Sequence, residues 1–161
     1  VALRLRRNAA SALAGVQPPA LDALCARLAD PRLLVRRIVG IALAGRSDEE
    51  SAACVRNTLS VGSPAARGAA IFPFRHHLAR GIVGVDEGWT LVQGLLQHPD
   101  PEVRIAGLEA LSMYTARVSE PLGRPLLEDP DSAVAEAAGQ ALGRIDDIHR
   151  TDLLRGNVKL D

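Results

Sequence analysis

At 161 residues, with 19 basic and 19 acidic side chains, the chain carries no net charge and has ample length for a continuous apolar core. Only Phe72, Phe74, Trp89 and Tyr114 are aromatic, which leaves Leu, Val, Ile and Ala to build that core and few rings to stack on nucleic-acid bases. No apolar run is long enough to span a bilayer and no signal-peptide pattern is present, so a membrane-spanning helix is excluded and a cytoplasmic protein is expected.

In chain order, helical segments alternate between two kinds. LRRNAASAL from Leu5 comes first, and PPALDALCARLA from Pro18 follows it. DPRLLVRRIVGIAL runs from Asp30, and DEESAACVRNTL from Asp48. Around Ala66 lies AARGAAIFPF, then VDEGWTLVQGLL from Val85 and HPDPEVRIAGLEAL from His98. ARVSEPLGRPLL from Ala116 contains Pro121 and Pro125 and is expected to be short or bent. DPDSAVAEAAGQAL from Asp129 is followed by a charged tail over 145–161, in which Ile145, Ile148 and Leu153 suggest a capping helix.

The segments from Asp30, His98 and Asp129 share Pro in second place, Val in sixth and Leu at the end. Aligned on that Val, the anchors are Leu5, Val35, Ala66, Val103 and Val134, with spacings of 30, 31, 37 and 31 residues. Such a period marks stacked supersecondary units rather than one folded active-site domain. After each anchor the apolar residues fall at +3, +4, +7 and +8, a single buried stripe of helical period. An Asp-Pro or Pro-Asp pair just ahead is a helix start, since Pro lacks only an N–H that has no partner there. No segment alternates like a strand between hairpin turns.

A two-helix unit of about 31 residues reading D-P-x-x-x-V-R-x-x-A-x-x-A-L resembles the HEAT repeat. It is most similar to the short bacterial form also called the phycobilisome-lyase type. The resemblance covers nearly the whole chain and is clearest at Val35, Val103 and Val134. It implies an all-α fold, a right-handed α-solenoid (α-α superhelix) of about five two-helix repeats in a single domain over 1–161. First helices would line the convex side and second helices the concave side. The start without Met, inside a second helix, is expected of a piece of a longer chain. Fold alone does not give function.

Positions +2 and +6 lie off the buried stripe. They are Arg7 and Ser11, Arg37 and Ile41, Gly68 and Phe72, Ile105 and Glu109, and Glu136 and Gln140. The resemblance places them in the concave groove, with Arg7, Arg37, Ile41, Phe72, Arg75, Ile105 and Glu109 as the binding candidates. An apolar strip flanked by charge suits a protein or peptide ligand. The Arg after the anchor recurs as Arg6, Arg36, Arg67 and Arg104, with Ala135 in the fifth repeat. Such an Arg needs partners when buried, and Asp30, Asp100 and Asp129 or the carbonyls of the inter-helix turns are expected to form a structural ladder with it.

Residues 1–80 hold 12 arginines and 5 acids, a balance of +7, and residues 81–161 a balance of −7. That asymmetry allows an acidic partner at the N-terminal half or head-to-tail self-association. It also allows phosphate-backbone binding through Arg4, Arg6, Arg7, Arg32, Arg36 and Arg37, as in HEAT-like DNA glycosylases, although zero net charge and a single Lys count against it. The segment IFPFRHHLARG puts Pro73 inside a helical pattern, beside Arg75, His76 and His77, where a kink or helix end is expected.

Cys25 and Cys54 lie on apolar helical stretches and read as buried free thiols. No HExxH, CxxC, phosphate-binding glycine loop or nucleophilic triad occurs, so no metal, cofactor or catalysis is expected. Some HEAT-like enzymes hold iron through His-Glu pairs, and no such dipeptide is present. The expected function is a non-catalytic interaction or scaffolding module, with an accessory role beside a lyase-like enzyme as a further alternative.

Overall fold

The computed structural model describes residues 20–154, apart from the side chains of Ala116 and of residues 148–154. The repeat anchored at Leu5, with Arg4, Arg6, Arg7 and Ser11, lies outside the described residues, as do positions 155–161. Among the described residues there are eight α-helices and no strand. They are α1 (Ala20–Ala26), α2 (Leu33–Ala44), α3 (Glu49–Val61), α4 (Pro64–Ala79), α5 (Val85–Leu96), α6 (Pro101–Leu111), α7 (Ala116–Gly123) and α8 (Ser132–Leu154). Short 3-10 turns at Arg27–Ala29 and Arg124–Glu128 extend α1 and α7. Pro121 is tolerated inside α7, and the chain tightens into the 3-10 turn at Arg124, with Pro125 next in line.

Each helix pair starts where its sequence supplies caps. Asp48 accepts from Ser51 N at 2.8 Å and opens α3. Ser63 accepts from Ala66 N with Pro64 in the first turn of α4, and Asp100 accepts from Glu102 N with Pro101 in the first turn of α6. These oxygens satisfy N–H groups that no helix carbonyl reaches. At the other end of the chain, residues 145–154 of the segment expected to cap the stack continue α8, and its remainder, 155–161, lies outside the described residues.

Chain contacts divide the protein into an N-terminal unit, Val1–Leu91, and a C-terminal unit, Val92–Asp161. In the first, α2 packs on α4, α3 on α4, and α1 on α3. Leu21, Leu24, Leu28, Val39, Leu43, Val55, Leu59, Ile71, Phe74 and Val83 are buried there. In the second, α6 and α7 pack on α8, around Leu95, Val103, Leu108, Leu111, Val134, Ala138, Ala141 and Ile145. Positions +4, +7 and +8 after Ala66 are Ala70, Pro73 and Phe74, and all three are buried.

Pro73 does not end α4, contrary to the expectation from its sequence position: the helix runs through to Ala79. Pro73 has no N–H for the Ala69 carbonyl one turn back, and that carbonyl faces Gly40 of α2. A methyl group at Gly40 would stand 3.2 Å from Ala69 O and 3.7 Å from Pro73 Cδ. The glycine lets the two helices close on the irregular turn, so packing compensates what the proline removes.

Candidate binding face

The second helices of the N-terminal unit, α2 and α4, run parallel. Gly40 meets Ala69 and Pro73, His77 Nε2 lies 3.0 Å from Leu43 O, and Arg80 Nη1 donates to Ala44 O at 2.7 Å, so the register advances together on both helices. Ile41 follows the Gly40 seam and Phe72 precedes Pro73. Both are large apolar side chains left open to solvent, 45% and 47% exposed. Leu34, 46% exposed, extends the strip one to two turns toward the start of α2. Arg37 is exposed one turn before Ile41, and Arg75 is half-buried one turn after Phe72.

Phe72 is held in place from its own helix. Its ring centroid lies 4.5 Å from that of His76, and His76 Nδ1 is 3.0 Å from Phe72 O, the geometry of an Nδ1–H donating to a carbonyl. Gly68 lies one turn before Phe72, and nothing stands within 4 Å of where its Cβ would be. In a helix interior an unpacked glycine costs about 1 kcal/mol relative to Ala, and here it leaves a notch in the surface beside the aromatic ring.

The charges of this unit are mostly committed inside it. Arg27 and Arg32 bind the Asp30 carboxylate, and Arg46 pairs with Asp48 at 2.8 Å. Arg56 is held by Glu49 and by Glu87. Arg36 donates to Asp30 O and Pro31 O, and Arg67 to Gly62 O and Ser60 O. Arg80 caps the last carbonyls of α2. Of the arginines in residues 20–91, Arg37 and Arg75 are the two with no hydrogen bond or ion pair to a described residue.

The arginines after the anchors thus sit on the inter-helix turns, and one reaches further. Arg104 donates to His98 O and Pro99 O, and its Nε and Nη2 also make a two-pronged contact with Asp129 at 2.9 and 2.8 Å. The guanidinium holds the Asp129 carboxyl below the usual carboxylate range, as Arg32 does for Asp30. Asp30 and Asp129 also accept from the N–H two residues on, at Arg32 and Asp131. Asp100 does something else: it caps α6. The equivalent turn role in that repeat falls to His98, whose Nδ1 accepts from Asp100 N at 3.1 Å.

In the C-terminal unit the corresponding face is acidic. Glu109 of α6 and Glu136 and Gln140 of α8 are exposed, and Ile105 is half-buried. Gln140 donates to Glu136 across one turn.

His77 proves to be a core side chain. It is fully buried, its Nε2 faces Leu43 O, and its Nδ1 has no hydrogen-bond partner among the described residues. The Leu43 carbonyl can only accept, so Nε2 carries a proton. Burial first of all, with Arg80 and His76 adding to it, pushes its pKa down. Among the described residues no group of three or more His, Cys, Asp or Glu side chains is placed to hold a metal ion, and no helix is long and apolar enough to cross a membrane.

The cysteines correct the sequence reading. Cys25 of α1 and Cys54 of α3 are bonded to each other, with Cα atoms 6.2 Å apart, and are not free thiols. Their separation of 29 residues is close to one repeat period, which sets them side by side on consecutive first helices. That near-coincidence with the period was the available signal. Comparison with protein families matches the model described as HEAT repeats to residues 89–161. No curated protein and no solved structure gives a significant match.

Proposed function

With the chain a member of the HEAT repeat family through the repeats in residues 89–161, we propose that it is a non-catalytic interaction module. It binds a protein or peptide on the outward face of its second helices, the side that the family resemblance makes concave. The observation that carries this is the strip on α2 and α4, where exposed Ile41 and Phe72 lie beside Arg37 and Arg75, neither of which bonds a described residue. Apolar side chains at helical spacing, rimmed by charge, are the usual substrate of helix or peptide docking.

The polar chemistry nearby serves the fold. Asp30, Asp129 and Asp48 have depressed pKa values from arginine and backbone hydrogen bonds at helix starts, and His77 is enclosed, with its pKa pushed down by burial. None of these groups lies on the open strip. The commitment of most arginines to carbonyls and carboxylates within the unit also weakens the phosphate-backbone reading, because a guanidinium already bonded contributes less to a nucleic-acid footprint. A cytoplasmic site of action would require the Cys25–Cys54 bond to persist against a reducing poise.

Affinity capture tests the reading. The protein is compared with Ile41→Asp and Phe72→Asp on the second helices and with Glu50→Arg on the first helix α3. Partners kept by Glu50→Arg and lost by the strip variants are expected. Partners kept by all three, with melting curves unchanged, would remove the strip from consideration.

A further inference from the structure

We propose that the strip on α2 and α4 takes an acidic amphipathic helix, whose carboxylates pair with Arg37 and Arg75 while its apolar residues cover Ile41 and Phe72; this rests on the interaction reading above. Spacing and charge argue for it. Arg37 precedes Ile41 by four residues and Arg75 follows Phe72 by three on parallel helices in matched register. At 1.5 Å per residue the two cations bracket the apolar pair over roughly 10 Å along the helix axes. Two carboxylates about two turns apart on one helix face span the same length, with an apolar position between them.

The arginines are available for that role because neither spends its donors on a described residue of the unit. The exposed guanidinium of Arg37 pairs with a carboxylate at little desolvation cost, and the planar fork of either arginine fits the two oxygens. The open notch at Gly68 lies one turn from Phe72 and level with Arg37 in the repeat alignment, which gives a partner side chain room to enter. Among the described residues, the acids exposed on this unit, Asp22, Glu49, Glu50, Asp86 and Glu87, are on α1, α3 and α5, the first helices, so the described part of the strip carries no carboxylate to repel the ligand.

The probe is a fluorescein-labelled, side-chain-stapled helix with two Glu about two turns apart and Leu between them. Versions with Gln or Lys replacing Glu, and a single-stranded oligonucleotide, are titrated in parallel by anisotropy against the intact protein. The Glu helix is expected to bind, and Arg37→Glu and Arg75→Glu are each expected to weaken it by about tenfold or more. The Lys helix should bind the doubly reversed protein better than the unchanged one. Arg37 is exposed and Arg75 half-buried, and unchanged melting curves exclude unfolding.

Equal binding of the Gln or Lys helix overturns the acidic partner and leaves an apolar docking strip. Binding of the oligonucleotide alone, lost in the arginine variants, overturns it in favour of a phosphate ligand. Binding of none of the probes overturns this inference, while the capture experiment with Ile41→Asp decides separately whether the strip is an interaction face.

Discussion

The N-terminal and C-terminal units use one repeat pattern but are held by different chemistry. In the first, a disulfide joins α1 to α3, and His77 of α4 and Arg80 just after it reach the closing carbonyls of α2. In the second, Arg104 joins its own turn to Asp129 of the following repeat. The arginine is common to Arg36, Arg67 and Arg104, and what differs is the residue five positions before the next anchor. That residue is Asp129 in the last repeat. For Arg36 it is Val61, which is 73% exposed, and for Arg67 it is His98. A shared motif therefore fixes where a guanidinium sits, and one residue in the neighbouring repeat decides whether it also becomes an inter-repeat tie.

The sharpest way to break the contrast is reduction. The Cys25–Cys54 loop closes 29 residues, and loop-closure entropy of that size stabilises by about 3–4 kcal/mol. A reductant, or Cys54→Ser, should lower the denaturation midpoint of the N-terminal unit and leave hydrogen-exchange protection over residues 92–154 unchanged. Equal loss in both units would show that they do not unfold separately.

Next in size is Gly107→Ala. A methyl group there would meet Leu95 Cβ, Leu96 Cδ2 and Leu96 N, each at 3.0 Å, and overpacking of this kind costs about 1–3 kcal/mol. Chemical denaturation of the C-terminal unit should register it. Acid should then separate the units by order of loss. The folded pKa of His77 is lowered below the ordinary histidine value of 6.5, so an unfolded chain takes up a proton that the folded one resists. Stability from this source is complete above that value and declines as the pH falls below it, and His77→Leu should flatten that early slope.

The Asp129 pKa is lowered from the ordinary aspartate value of 3.8, so its contribution is present above that value and lost only as the pH falls through the lower folded value. Asp129→Asn should remove this late step from a thermal-melting series. The smallest effect expected is a gain. Gly68→Ala fills open space in α4 and should stabilise by about 0.5–1 kcal/mol. A loss instead would mean that the notch is already occupied.

The helices were legible because their apolar stripe and their caps are local. Val39, Leu43, Val103, Leu111 and Val134 are buried where the period puts them, and Asp100 and Ser63 open helices where Pro follows. The solvent face was legible for the same reason: Arg37, Ile41, Phe72 and Glu109 are all exposed. Tertiary partners were less so. Pro73 read as a break because its compensation lies at Gly40, over 30 residues away. His77 read only as a neighbour of Arg75 and His76 beside Pro73, but its acceptor is a carbonyl on another helix. The thiols read as free because each stretch, taken alone, is merely apolar.

The Arg104–Asp129 contact also bears on how such a chain can be taken apart and rebuilt. A repeat that ends within itself can be excised, duplicated or spliced into a different array at will. The one carrying Arg104 cannot, because its guanidinium is completed by a carboxylate encoded 25 residues downstream. Placed ahead of a repeat that begins with Val or His at that position, it would keep its own turn and lose its tie. The smallest transferable module in the C-terminal unit is therefore a pair of consecutive repeats, and any library that shuffles single helix pairs should preserve that Asp at every junction following an Arg-bearing anchor.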